Sequence, residues 1–191
     1  IALLLAYGAR ITRSRVAQGV NRLASLGYAV PGAVIAVGVL IPATRLDHLM
    51  ADWGLSTGLI LTGSVAALVY AYLIRFLGVA LQAVDAGLAR ITPHMEDAAR
   101  SLGMGTTATL ARVHAPILRS SLVTAGLLVF VDVMKELPAT FVMRPFDFDT
   151  LAVQAYNLAA DERLAEASTA SLAIVAVGLL PVILAAHRLV R

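Results

Sequence analysis

The sequence predicts an all-α fold, a polytopic transmembrane bundle of about five helices, and three features carry that reading. Hydrophobic residues make up 59% of the 191 residues, charged residues only 14%, and the mean hydropathy is +0.83. That is far too apolar for a domain whose whole surface is wetted. Four apolar runs, Tyr28 to Thr44, Leu55 to Leu77, Leu122 to Met143 and Ala167 to Ala186, are each about 17 to 23 residues long, enough helix to cross a hydrocarbon core. None alternates apolar and polar residues as the strands of a closed barrel would, so helices are the spanning solution.

Taken in order, the first residues, Ile1 to Tyr7, are apolar but too few to cross a bilayer and do not start with Met. They read as the end of a helix cut by an N-terminal truncation, with no basic start or small-residue cleavage site of a signal peptide. The first full span is entered through Gly27-Tyr28-Ala29-Val30-Pro31-Gly32. Gly32 with Ala36, and Ala67 with Ala71 in the second span, have the small-xxx-small spacing of ordinary close helix packing. A long polar loop follows the second span, and the third is interrupted by Asp132, Lys135 and Glu136. No internal repeat or low-complexity linker divides the chain, so residues 1–191 are expected to form a single membrane domain.

Charge sets the orientation. Arg10, Arg13, Arg15, Arg22, Arg75, Arg90, Arg100, Arg112, Arg119, Arg188 and Arg191 fall on one side of the predicted spans. The other side holds only Arg45, Arg144 and Arg163, together with Asp47, Asp52, Asp147, Asp149, Asp161, Glu162 and an interfacial Trp53. The positive-inside rule makes the loop between Leu77 and Leu122 cytoplasmic and the segment from Arg144 to Glu166 periplasmic. The net charge of +3 is thereby explained by topology, and the arginines do not cluster beside aromatic residues as in a nucleic-acid-binding protein. With no cysteine, and with His48, His94, His114 and His187 far apart, local metal-site signatures are absent, and no metal site is expected.

The centre of the cytoplasmic loop reads Thr92-Pro93-His94-Met95-Glu96-Asp97-Ala98-Ala99-Arg100-Ser101-Leu102-Gly103. Thr92 suits a helix N-cap, Pro93 the first helical position, Glu96 and Asp97 the positive helix start, and Gly103 a left-handed end. A second short helix is expected from Thr106 or Thr107 to His114, before Pro116 marks re-entry to the membrane. A compact helix-turn-helix outside the bilayer results.

Asp97-Ala98-Ala99, three residues, Gly103, nine residues, Val113, one residue, then Ala115-Pro116 resembles the EAA loop of ABC-importer permeases, E-A-A-x3-G-x9-I-x-L-P. Asp97 and Val113 depart from that pattern conservatively and Ala115 more freely. The resemblance implies a bundle of the type I ABC-importer permease kind, with a coupling helix that docks in a groove of a separate ATPase subunit. It implies that role for Glu96, Asp97, Ala98, Ala99, Gly103 and Pro116. Met134-Lys135-Glu136-Leu137-Pro138-Ala139-Thr140, Arg144-Pro145-Phe146 and the stretch from Phe148 to Arg163 are similar to the ferric-iron branch of these permeases, whose members often carry two halves in one polypeptide. The chain then corresponds to one half, for which a C-terminal position fits.

The partners so implied are an ABC ATPase dimer, a periplasmic solute-binding protein, a second permease half, fused or homodimeric, and the lipid bilayer of the bacterial inner membrane. Thiamine, polyamine and phosphonate uptake are the neighbouring solute classes. No P-loop is present, since the only lysine, Lys135, is followed by Glu136; ATP is expected on a partner and no cofactor in this chain.

Asp132, Lys135 and Glu136 are expected on one face of a spanning helix by their i, i+3 and i, i+4 spacing. Charges at membrane depth cost at least about 2.5 to 3.5 kcal/mol each on insertion scales, so they should pair and turn from lipid. Pro138 should kink the helix beside them. A translocation-path or gate element and a buried pair that orients helices both fit. Ferric coordination by Asp132 and Glu136 suits oxygen chemistry but leaves an incomplete site. An ion-coupled secondary carrier would use the same carboxylates. An intramembrane enzyme is disfavoured, because Lys135 between them favours their ionised forms over a shared proton.

Overall fold

The computed structural model describes residues 1–12, 14–55 and 59–189, and every regular element among them is helical. Arg13 and Arg191, two of the arginines used for orientation, lie outside the described residues. Four helices are long and apolar enough to cross a membrane: Gly32–Asp52, Val65–Leu88, Thr106–Met134 and Leu164–Ile183. A shorter apolar helix, Ala2–Thr12, precedes them.

The chain divides into two compact units, Ile1–Ser25 with Leu77–Val129, and Leu26–Phe76 with Phe130–Arg191. The first contains α1 (Ala2–Thr12), α2 (Arg15–Ser25), the end of α4 (Val65–Leu88), α5 (Pro93–Ser101), α6 (Thr106–Thr109), a π turn (Leu110–His114) and most of α7 (Ala115–Met134). Leu81, Val84 and Leu88 recur on one side of α4 and pack with Ala6, Tyr7, Ile91 and Leu118 into this unit's core.

In the second unit are a 3-10 turn (Leu26–Tyr28), α3 (Gly32–Asp52), the start of α4, α8 (Pro138–Met143), α9 (Leu151–Ala160) and α10 (Leu164–Leu189). Its core joins Ile35, Ala36 and Val39 to Ala67, Leu68 and Ala71, and to Ala139 and Met143. Ala36 and Ala71 are wholly buried, so the small-residue spacing does serve close helix packing.

Two sequence expectations are corrected. First, no single spanning helix covers Leu122 to Met143: α7 ends at Met134, and Pro138 opens the separate α8 and does not kink a continuous helix. Proline tolerates a first-turn position because that amide has no intrahelical partner. Second, Pro116 does not separate a short loop helix from the membrane span, because helical structure is continuous from Thr106 to Met134. The amide of Ala115 bonds the carbonyl of Leu110, five residues back, so the register shifts just ahead of a proline that has no hydrogen to donate. The Arg144 to Glu166 connection contains α9, started by Thr150, whose hydroxyl accepts from the Val153 amide at 3.4 Å.

Candidate functional site: the α5 loop and a buried polar cluster

Local sequence chemistry explains α5. Thr92 occupies the N-cap position in an extended conformation, but its side chain makes no capping bond. Pro93 opens the helix. At the other end Gly103 has φ +76°, the left-handed region that a side chain disfavours. The Gly103 amide donates to the Arg100 carbonyl at 2.9 Å and the Met104 amide to the Ala99 carbonyl at 3.0 Å, closing α5 with a Schellman turn.

Arg10 ties this helix to its unit. Its Nε donates to Glu96 Oε1 at 2.7 Å, while Nη1 and Nη2 donate to the carbonyls of Leu88 at 2.7 Å and Ile91 at 2.6 Å. The guanidinium thus meets the carbonyl end of α4, where a cation is favoured, and α5 in one grip. Tyr7 adds a bond from its hydroxyl to the Thr106 carbonyl at 3.1 Å and packs edge-on against His114, ring centroids 5.1 Å apart. His114 is fully buried, with Nε2 3.8 Å from Glu96 Oε1.

These contacts sort the residues that the EAA resemblance singled out. Glu96 and Ala99 face inward, Glu96 toward Arg10 and Ala99 buried at 3% exposure. Asp97, Ala98 and Gly103 are exposed, as is Leu102 at 79%. Asp97 pairs with Arg100 at 3.5 Å on the surface, a contact worth little. Pro116 is exposed beyond the π turn. Arg10, visible in the sequence only as one basic residue among several, is the anchor that sequence reasoning missed.

Asp132, Lys135 and Glu136 do not share one helix face, which corrects the second site expectation. Lys135 and Glu136 follow the end of α7, and each carboxylate takes a different cation. Lys135 Nζ lies 2.9 Å from Asp132 Oδ1, with its side chain 63% exposed. Glu136 is buried and pairs with Arg75, whose Nε donates to Oε2 at 2.9 Å and whose Nη1 donates to the Val30 carbonyl at 2.6 Å. Glu136 Oε1 accepts from the Ala139 amide at 2.9 Å, at the start of α8.

Thr140 donates to the Glu136 carbonyl at 2.7 Å and shares a hydrogen bond with the Tyr72 hydroxyl. Glu136 therefore joins α4, the entry to α3 and α8 at one point. Tyr28, Arg75, Phe76, Asp132, Lys135 and Glu136 line a cleft there.

A second anchor was also missed. Asp47, used in the sequence only to assign the sides of the spans, is 1% exposed and accepts from the amides of Ile60 at 3.1 Å, Leu61 at 2.8 Å and Thr62 at 2.8 Å. It fastens the end of α3 to the approach to α4. Among the described residues no group of three His, Asp or Glu side chains is arranged to hold a metal ion.

No protein-family model matches the chain. It is 28% identical over 183 residues to the Fe(3+)-transport system permease protein FbpB 2 of Haemophilus influenzae, covering 96% of this chain and 34% of that protein. It is also 28% identical over 155 residues to PhnV of Salmonella paratyphi A, a permease protein named for 2-aminoethylphosphonate transport, covering 81% of this chain and 54% of PhnV. The chain thus spans about a third of one relative and about half of the other.

The fold is similar to a chain of a bacterial ABC transporter involved in import of the acidic polysaccharide alginate, with TM-score 0.76, 16% identity, and coverage of 98% of this chain and 70% of that one. A chain of a bacterial alginate ABC transporter in complex with an alginate pentasaccharide-bound periplasmic protein matches with TM-score 0.75 at 16% identity, covering 97% of this chain and 69% of that one. By sequence and by fold, the chain resembles the membrane-spanning permeases of ABC importers.

Proposed function

We propose that this chain is a membrane-spanning half of an ABC importer that moves ferric iron from periplasm to cytoplasm across the bacterial inner membrane. The observation that carries the reading is the form of α5: Asp97, Ala98 and Leu102 point outward from a helix that Arg10, Glu96 and Ala99 fix from within. A small, rigidly based outward face is what a coupling element needs, because force applied to it reaches α1 and α4 and is not lost in a loop. The partners are an ABC ATPase dimer seated on α5, a periplasmic solute-binding protein, and a second permease half, fused or supplied as another copy. Hydrolysis belongs to the ATPase, since this chain has no P-loop.

The cleft between Asp132, Lys135 and Glu136 is proposed as part of the translocation path, with the Asp132–Lys135 pair as its accessible element. Ferric iron is favoured by the likeness to FbpB 2. The likeness to PhnV supports a phosphonate as the second reading. Proteoliposomes holding the full reading frame, ATP inside and binding protein outside, should accumulate ferric iron only with hydrolysable ATP. Accumulation of 2-aminoethylphosphonate alone would replace the solute. Uptake driven by an ion gradient without ATP would replace the importer with a secondary carrier.

A further inference from the structure

Helix α2 packs beside α1, where Asn21 Nδ2 donates to the Leu5 carbonyl at 3.3 Å, yet no residue of α2 is buried. Its side chains are nevertheless sorted. Ala17, Asn21 and Ala24 are half-buried on the side toward the rest of the unit. Val16, Val20 and Leu23, spaced i, i+4 and i+7, form an exposed apolar flank, 75%, 48% and 69% accessible. Arg15, Gln18 and Arg22 are exposed and fall on the other flank, because each residue advances about 100° around the axis.

The helix contains no acidic residue. Its 11 residues are too short to span a bilayer, and its arginines and amides are too polar for the hydrocarbon core. In the chain it lies between the apolar α1 and α3, which is long and apolar enough to cross a membrane.

We propose that α2 is an interfacial helix: Val16, Val20 and Leu23 sit at the acyl-chain boundary, while Arg15 and Arg22 bind the phosphates of anionic phospholipids. An apolar flank beside a polar one whose only charges are positive complements an anionic membrane surface, and an adjoining protein would have to leave the arginines unmatched or supply acids for them. The proposal requires membrane insertion but not ATP coupling, so failure of the transport reading leaves it standing.

The test uses the full chain with its partner subunits in phosphatidylcholine vesicles, with or without phosphatidylglycerol. In a Trp53→Phe background, Val20→Trp and Leu23→Trp should be strongly quenched by lipids brominated on the acyl chains, and Gln18→Trp weakly. Spin-labelled phosphatidylglycerol should be enriched around the protein, and Arg15→Gln with Arg22→Gln should lower that enrichment by about fivefold for each arginine. Equal quenching at all three positions, or none at 20 and 23, overturns the interfacial seat. Unchanged lipid selectivity in the double variant overturns the phosphate assignment. Disulfide cross-linking of Val20→Cys to a second copy would make the flank a protein interface and defeat the proposal.

Discussion

Arg75 and Glu136, 61 residues apart in the chain, meet at 2.9 Å in the second unit, and the same carboxylate accepts the Ala139 amide that opens α8. A carboxylate buried to this degree is tolerated because its oxygens meet a cation and a backbone donor. Lys135, next in sequence to Glu136, takes no part: it reaches Asp132 and remains exposed.

Arg75→Met should therefore be much more damaging than Lys135→Met. Removing Arg75 strands a buried carboxylate, a loss of about 3 to 5 kcal/mol for a broken buried pair, whereas an exposed pair is worth about 0 to 1 kcal/mol. Thermal unfolding in detergent should rank Arg75→Met lowest, with Arg75→Met plus Glu136→Gln partly recovered. Equal losses for the two single variants would show that the carboxylates share their cations.

Gly32 begins α3 against this pair. A Cβ there would lie 2.5 Å from Glu136 Oε1 and 3.2 Å from the Ala139 nitrogen, and the latter is backbone that cannot swing aside. Gly32→Ala should cost about 1 to 3 kcal/mol, as overpacking does, and should weaken the Arg75–Glu136 contact. Gly126→Ala, where a Cβ meets nothing within 4 Å, is the control and should leave unfolding unchanged or slightly raised.

What could be read from sequence was local. Thr92, Pro93 and Gly103 mark the ends of α5 because caps and left-handed turns involve residues a few positions apart. The apolar runs announce four spans because lipid contact requires length more than partners, but not their ends: the second helix is Val65–Leu88, not Leu55 to Leu77. Arg10, Asp47 and Arg75 escaped because their partners lie far along the chain or are backbone groups, which leave no pattern in side-chain identity. The break after Met134 was hidden inside a run apolar enough to pass as one span, and the charges there were assigned to a helix face that does not exist. Pro138 was a visible breaker, but the sequence does not say whether a proline bends one helix or begins another.

Asp47→Ala should release the segment from Ile60 to Thr62, whose three amides would lose their acceptor. A cysteine at Ile60, itself exposed, reports the change in this cysteine-free chain. Maleimide labelling and proteolysis near the segment should accelerate in Asp47→Ala and change less in Asp47→Asn, which keeps one carbonyl oxygen. Identical rates in all three proteins would mean that the carboxylate does not hold the segment.

The last expectation separates folding from docking on α5. Ala98 and Ala99 are neighbours with opposite surroundings, one exposed and the other buried in its own unit. Ala99→Glu forces a larger, charged side chain into a buried position, so it should lower thermal stability and membrane abundance. Gly103→Val should add strain of about 1 to 2 kcal/mol, since Val must adopt a left-handed backbone. Loss of transport in either variant would then be ambiguous, because a distorted loop and a blocked interface both silence an importer. Ala98→Trp avoids the ambiguity: its side chain projects from the outward face and should leave unfolding and abundance at wild-type levels. If α5 seats an ATPase, the bulky ring should nonetheless cut solute-stimulated ATP hydrolysis and uptake at least tenfold, which corresponds to about 1.4 kcal/mol of lost coupling. A stable Ala98→Trp protein with normal stimulated hydrolysis and uptake would remove α5 from the interface, whatever the two destabilised variants do.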